Sequence, residues 1–122
     1  MIDKDETRAR LARTCELLPE ADVVPGQHIT YRVRGKTFAW LCDNHHNDGK
    51  YALWLKAAPG EQQLLVAADP AVFFVPPYVG PNGWVGVRLD VGETDWEEVA
   101  ALMRSSYRLL APKRLAAQVP GE

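Results

Sequence analysis

Apolar and polar positions alternate most cleanly over residues 29–42 (ITYRVRGKTFAWLC), and the alternation reads as a β-hairpin. With Gly35 and Lys36 as the turn, glycine first as a type II′ turn prefers, Arg34 faces Thr37, Val33 faces Phe38 and Tyr31 faces Trp40. Ile29, Tyr31, Val33, Phe38, Trp40 and Cys42 then share an apolar face, and Thr30, Arg32, Arg34, Thr37 and Ala39 a polar one. Leu41 is the exception. A one-residue slip would scramble this sorting.

The remaining elements follow from period and punctuation. Leu11, Cys15 and Leu18 recur at helical spacing over residues 3–18, with Asp5, Glu6 and Thr7 near the start and Arg8, Arg10 and Arg13 outside, which predicts an amphipathic helix. Pro19 and residues 23–27, with Pro25 and Gly26, break the pattern. After a polar loop over 43–50 (DNHHNDGK), Tyr51, Leu53 and Leu55 alternate with Ala52, Trp54 and Lys56 as a third strand. Residues 59–68 predict a short helix with Leu64, Leu65 and Ala68 inward, and residues 72–75 a buried strand ended by Pro76-Pro77. The turn dipeptide Asn82-Gly83 leads into a fifth strand over 84–89, with Val85, Val87 and Leu89 on one face and Trp84, Gly86 and Arg88 on the other.

Thr94 to Glu97 fits a capping box that opens the last helix, whose Trp96, Val99, Met103, Tyr107 and Leu110 form an apolar stripe. Pro112 closes it, Lys113 and Arg114 suit the carbonyl end of the helix dipole, and the tail over 116–122 is expected to fray. The order helix, three strands, helix, two strands, helix predicts a two-layer α+β fold. Its antiparallel sheet of about five strands carries helices on one side and leaves the other to water, with Arg32, Arg34, Trp54, Lys56, Trp84 and Arg88 on that open face.

The 122 residues, 47% of them hydrophobic, suffice for one domain with its own core, spanning 1–122. A net charge of -2 argues against wholesale coating of nucleic acid and confines any polyanion site to a local patch. Residues 29–56 hold one such patch, with Arg32, Arg34, Lys36, Lys50 and Lys56 against Asp43 and Asp48. The cysteines, Cys15 and Cys42, read as reduced thiols, and no membrane span or signal-peptide core is visible, so a cytoplasmic protein without membrane association is expected. His45, His46, Asp43 and Asp48 have ligand chemistry but lack a second cluster to complete a coordination set, so neither metal nor cofactor is expected. Ser105, Ser106, Cys42, Asp90 and the histidines lack the spacing of a nucleophile, base and orienting group, and no phosphate-binding glycine motif is present, so no enzyme is expected.

Residues 17–20 (LLPE), 31–39 (YRVRGKTFA), 65–75 (LVAADPAVFFV), 83–85 (GWV) and 106–114 (SYRLLAPKR) together resemble the MmcQ/YjbR-like family of small bacterial proteins, along nearly the whole chain. The resemblance implies an α/β fold like that of bacterial secretion chaperones and frataxin-like (CyaY-like) proteins. It also implies DNA binding through paired β-hairpin wings, which here match residues 30–41 and the segment around 81–89. No catalytic set comes with it.

The first functional reading is therefore a DNA-binding module whose nucleic-acid contacts are Arg32, Arg34, Lys36, Lys50, Lys56 and Arg88, with weak, salt-dependent affinity. The alternative is a protein-interaction or chaperone-like adaptor that holds a partner with Trp54, Tyr78 and Trp84. A small-molecule-binding domain is the third.

Overall fold

A computed structural model describes residues 2–119. Helix α1 (Lys4–Glu16) starts on Asp3, whose side chain accepts the Glu6 amide at 3.0 Å. Six strands form one sheet: β1 (Ala21–Val24), β2 (Ile29–Val33), β3 (Lys36–Asp43), β4 (Tyr51–Lys56), β5 (Phe73–Phe74) and β6 (Trp84–Arg88). Helix α2 (Glu61–Ala68) lies between β4 and β5, and α3 (Trp96–Leu110) and α4 (Lys113–Ala116) close the chain. Across the sheet the order is β1-β2-β3-β4-β6-β5, every pair antiparallel. The α+β fold read from the sequence is thus the fold observed, with one more strand at the β1 edge and a short helix at the end.

The hairpin forms, but its turn is Arg34-Gly35, one residue earlier than expected. Both residues have positive φ, 50° and 80°, the type I′ combination whose twist matches that of the strands. Pairing runs Val33↔Lys36 and Arg32↔Thr37, then jumps to Tyr31↔Ala39. Phe38 is therefore the extra residue of a β-bulge, and the bulge resets which way side chains point. Phe38, Ala39 and Leu41 all enter the main core, whereas Trp40 and Cys42 turn to the opposite face. Leu41, the apparent exception to the alternation, is a core residue.

The main core lies between the sheet and one layer of helices. Leu11 and Cys15 of α1, Val99, Met103 and Tyr107 of α3, and Leu115 of α4 meet Tyr31, Val33, Leu53, Leu55, Val85 and Val87 of the sheet. Fully burying one such large side chain stabilises by roughly 1.5–3 kcal/mol, so this face holds the helices in place. The two cysteines are buried in separate clusters on opposite faces of the sheet, so they remain thiols.

Other boundaries moved for local reasons. Strand β1 occupies part of the stretch read as a break, and Pro25 and Gly26 follow its last residue. In α2 the inward side chain is Gln62, which donates to the carbonyl oxygens of Gly80 at 2.9 Å and Trp84 at 2.6 Å; Leu65 packs on the core, while Leu64 and Ala68 are exposed. The strand expected over 72–75 shrinks to Phe73–Phe74 at the sheet edge, with Val75 exposed. Helix α3 is capped by Asp95, which accepts the Glu98 amide at 3.1 Å, rather than by Thr94. The tail expected to fray is packed through Val119, because Leu115 and Val119 are both buried; residues 120–122 lie outside the described residues.

Candidate nucleic-acid interface

The antiparallel register places the β2–β3 turn, the end of β4 and the start of β6 at one end of the sheet, since Val33 pairs with Lys36 and Lys56 with Trp84. Arg34 and Lys36 project from the turn, exposed. Lys56 sits at the end of β4, and its Nζ donates to the Asn82 carbonyl oxygen at 3.1 Å. Helix α4 brings two further cations here. Buried Leu115 anchors it to the core, while exposed Lys113 and Arg114 face outward, with Arg114 at 3.7 Å from Glu20.

Glu20 is the acidic centre of this end. The Leu18 carbonyl oxygen accepts the Ala21 amide at 3.1 Å, which closes a turn with Pro19 second and Glu20 third. Glu20 has φ 59°, a left-handed conformation that residues other than glycine, asparagine and aspartate seldom take. The turn is fixed from below: the buried Tyr107 hydroxyl donates to the Pro19 carbonyl oxygen at 2.6 Å. Arg34 grips the carboxylate as a fork, its Nε donating at 2.6 Å and its second nitrogen at 3.1 Å. These bonds hold the Glu20 carboxyl below the usual carboxylate range and raise Arg34 in return. Among the described residues Lys36 and Lys113 form no ion pair.

The six cations read from the sequence do not form one strip. Arg34, Lys36 and Lys56 share the turn end. Arg32 pairs across β1 with Asp22 at 2.7 Å, in register with it. Arg88 lies toward the other end, where a two-pronged contact with Asp90 at 3.0 Å neutralises it. Burial pushes the Asp90 carboxyl up, but the Arg88 guanidinium and the Tyr51 amide outweigh it and hold it down. Lys50, also at that end, stacks its Nζ over Phe74 at 5.1 Å. Lys113, Arg114 and Glu20 were missed as site residues. The apolar pair Leu115 and Val119 just beyond Pro112 was the available signal that the tail packs and carries its cations to the core's edge.

The sheet face away from the helices is aromatic at its centre, with Lys56 and Arg88 at the ends of β4 and β6 on the same side. Trp40 pairs with Trp54, Trp54 with Gly86 and Gly86 with Phe74, so one row crosses the strands. A Cβ on Gly86 would overlap the Phe74 ring, so glycine lets Phe74 lie flat there. The loop over 43–50 folds back on this row and buries His45 against Trp54 at 4.7 Å and Trp40 at 5.1 Å. Trp54 is therefore 1% exposed, which corrects its reading as a partner contact: a loop and its neighbouring rings cover it. Trp84 is half-buried, and Tyr78, with φ 68°, stands 75% exposed beside His46.

Among the described residues no helix is long and apolar enough to cross a membrane. The family model described as YjbR matches residues 17–109. The fold is shared with the crystal structure of Deinococcus radiodurans protein DR2400, which carries the domain DUF419, at a TM-score of 0.71 and 21% identity, over 92% of this chain and 86% of that one. No curated protein matches the chain.

Proposed function

The chain belongs to the YjbR family, and on that premise we propose that it is a DNA-binding module, non-enzymatic and cytoplasmic, that meets the phosphate backbone with its β2–β3 turn end. The observation that supports this reading is the segregation of charge. Arg34, Lys36, Lys56, Lys113 and Arg114 gather at that end, where Glu20 engages Arg34 and Arg114 and three cations, Lys36, Lys56 and Lys113, form no ion pair among the described residues. Neutralising three phosphates corresponds to a log-log salt slope near roughly -3, hence weak binding that salt abolishes. Phosphate contacts position a protein without reading bases, so the binding is sequence-tolerant. A binding role also fits Ser106, whose hydroxyl is engaged by two backbone groups and serves no nucleophile. Fluorescence anisotropy with a labelled duplex at low and high salt tests it. Binding at low salt that disappears in the Arg34→Glu, Lys36→Glu variant is expected; no binding at low salt overturns it.

A second reading is favoured by Tyr78 alone. A large aromatic held exposed at positive φ, with half-buried Trp84 on the neighbouring strand, suits contact with a protein segment. Tyr78→Ala would abolish such an interaction and leave DNA binding unchanged.

A further inference from the structure

We infer that Arg34 and Arg114 form a phosphate-binding pair and that Glu20 occupies the place of the phosphate in the unbound protein. The inference deepens the DNA-binding reading and rests on it. Two guanidinium groups from distant parts of the chain converge on one carboxylate, Arg34 as a fork at 2.6 Å and 3.1 Å and Arg114 at 3.7 Å. A planar carboxylate and a tetrahedral phosphodiester each offer an arginine fork two acceptor oxygens at once. Glu20 thus shapes the two side chains for the anion it imitates.

Its position is built rather than incidental. It takes the left-handed third position of a turn that favours glycine, and that turn is pinned by the buried Tyr107 hydroxyl. The contact is also easy to displace. Arg34, Glu20 and Arg114 are all well exposed to water, where ion pairs are screened and weak. A backbone phosphate flanked by Lys36 and Lys113 gains contacts that a lone carboxylate lacks. When it arrives, the Glu20 side chain swings out and both arginines transfer to the phosphate. Glu20 therefore limits affinity, and its removal strengthens binding.

Anisotropy with a labelled DNA duplex, run on wild type, Glu20→Gln and Arg114→Gln, tests this. Glu20→Gln is expected to tighten binding by roughly 1.5- to fivefold, the worth of one surface ion pair, and Arg114→Gln to weaken it. Glu20→Gly, which suits the left-handed turn, should tighten it likewise and serves if the glutamine variant does not fold. Unchanged affinity in both Glu20 variants overturns the inference, while loss of binding in Arg34→Glu, Lys36→Glu would leave the DNA reading standing. If neither wild type nor a Glu20 variant binds the duplex, both fall. Inorganic phosphate, titrated alone while the Arg34 and Arg114 side-chain NMR signals are followed, separates the sources. Saturation by phosphate without duplex binding assigns the pair to a small anion and overturns the DNA assignment.

Discussion

The Ser106 hydroxyl donates to the Phe38 carbonyl oxygen at 2.6 Å and accepts the Lys56 amide at 3.0 Å, so one buried side chain of α3 stands between β3 and β4 at the bulge. Phe38 is the residue that the bulge leaves over, and its carbonyl lacks a regular ladder partner. Ser106 supplies one. Ser106→Ala would leave a buried carbonyl and a part-buried amide unpaired, at a cost of roughly 1–3 kcal/mol. Urea denaturation should show a lower midpoint with unchanged slope; a midpoint within error of wild type would mean that the bulge is satisfied by other means.

Gly86 and Phe74 make the second prediction. Because a Cβ at Gly86 would overlap the Phe74 ring, Gly86→Ala must push that ring off the sheet, at a cost of roughly 1–3 kcal/mol. The effect should be coupled. In a Phe74→Ala background the same alanine should cost much less, and a double-mutant cycle on thermal unfolding reads the difference. Additive effects would show that the two residues do not meet.

Much of this fold was legible because β4 and β6 are regular. Tyr51, Leu53 and Leu55, and Val85 and Val87, alternate without interruption and point into the main core. The hairpin failed where a period of two stops applying: nothing in the residues 36–40 announces that Phe38 is a bulge, since its carbonyl partner, Ser106, is 68 positions away. Strand β1 was hidden by the Pro25-Gly26 that follows it, although Val23 and Val24 are good strand formers. At the site, Arg34 and Lys36 were readable from the turn they flank. Arg114 was not, because its role depends on Leu115 docking a helix of only four residues. Glu20 was unreadable for the same reason, its fork partner lying 14 positions on.

The histidine loop gives a prediction in pH. His45 lies against His28 at 5.4 Å and His46 at 4.3 Å, with Tyr78 at 6.4 Å, and its Nδ1 meets no hydrogen-bond partner among the described residues. Burial, with repulsion from His46 and His28, lowers its pKa below the usual 6.5, and Asp48 opposes them only in part. The folded state therefore binds fewer protons than the unfolded one, so stability falls as the pH drops below about 6.5. Carboxylates held low by arginines, such as Glu20, add their loss only in the more acidic range below about 4.3. His45→Phe keeps the ring contacts and removes the charge, so its melting temperature should stay flat between about pH 7 and pH 5 where wild type declines. Equal declines in both proteins would assign the effect elsewhere.

Charge placement gives the last prediction, because the two ends of the sheet separate what the sequence grouped. Lys36 and Lys113 form no ion pair among the described residues, whereas Arg88 is held by Asp90 and Lys50 rests on Phe74 at the other end. A cation matched by a carboxylate, as Arg88 is, or placed away from the turn end, as Lys50 is, releases few counterions when a duplex meets that end, so Lys36 and Lys113 contribute to the salt slope and Lys50 and Arg88 do not. Lys36→Gln with Lys113→Gln should therefore flatten the log-log slope by roughly 2, while Lys50→Gln with Arg88→Gln should leave it unchanged. Equal flattening by the two pairs would mean that the duplex lies along the whole strand direction rather than across the turn end. It would then have to pass over the 43–50 loop that covers Trp54, and the fluorescence of half-buried Trp40 and Trp84 would change on binding.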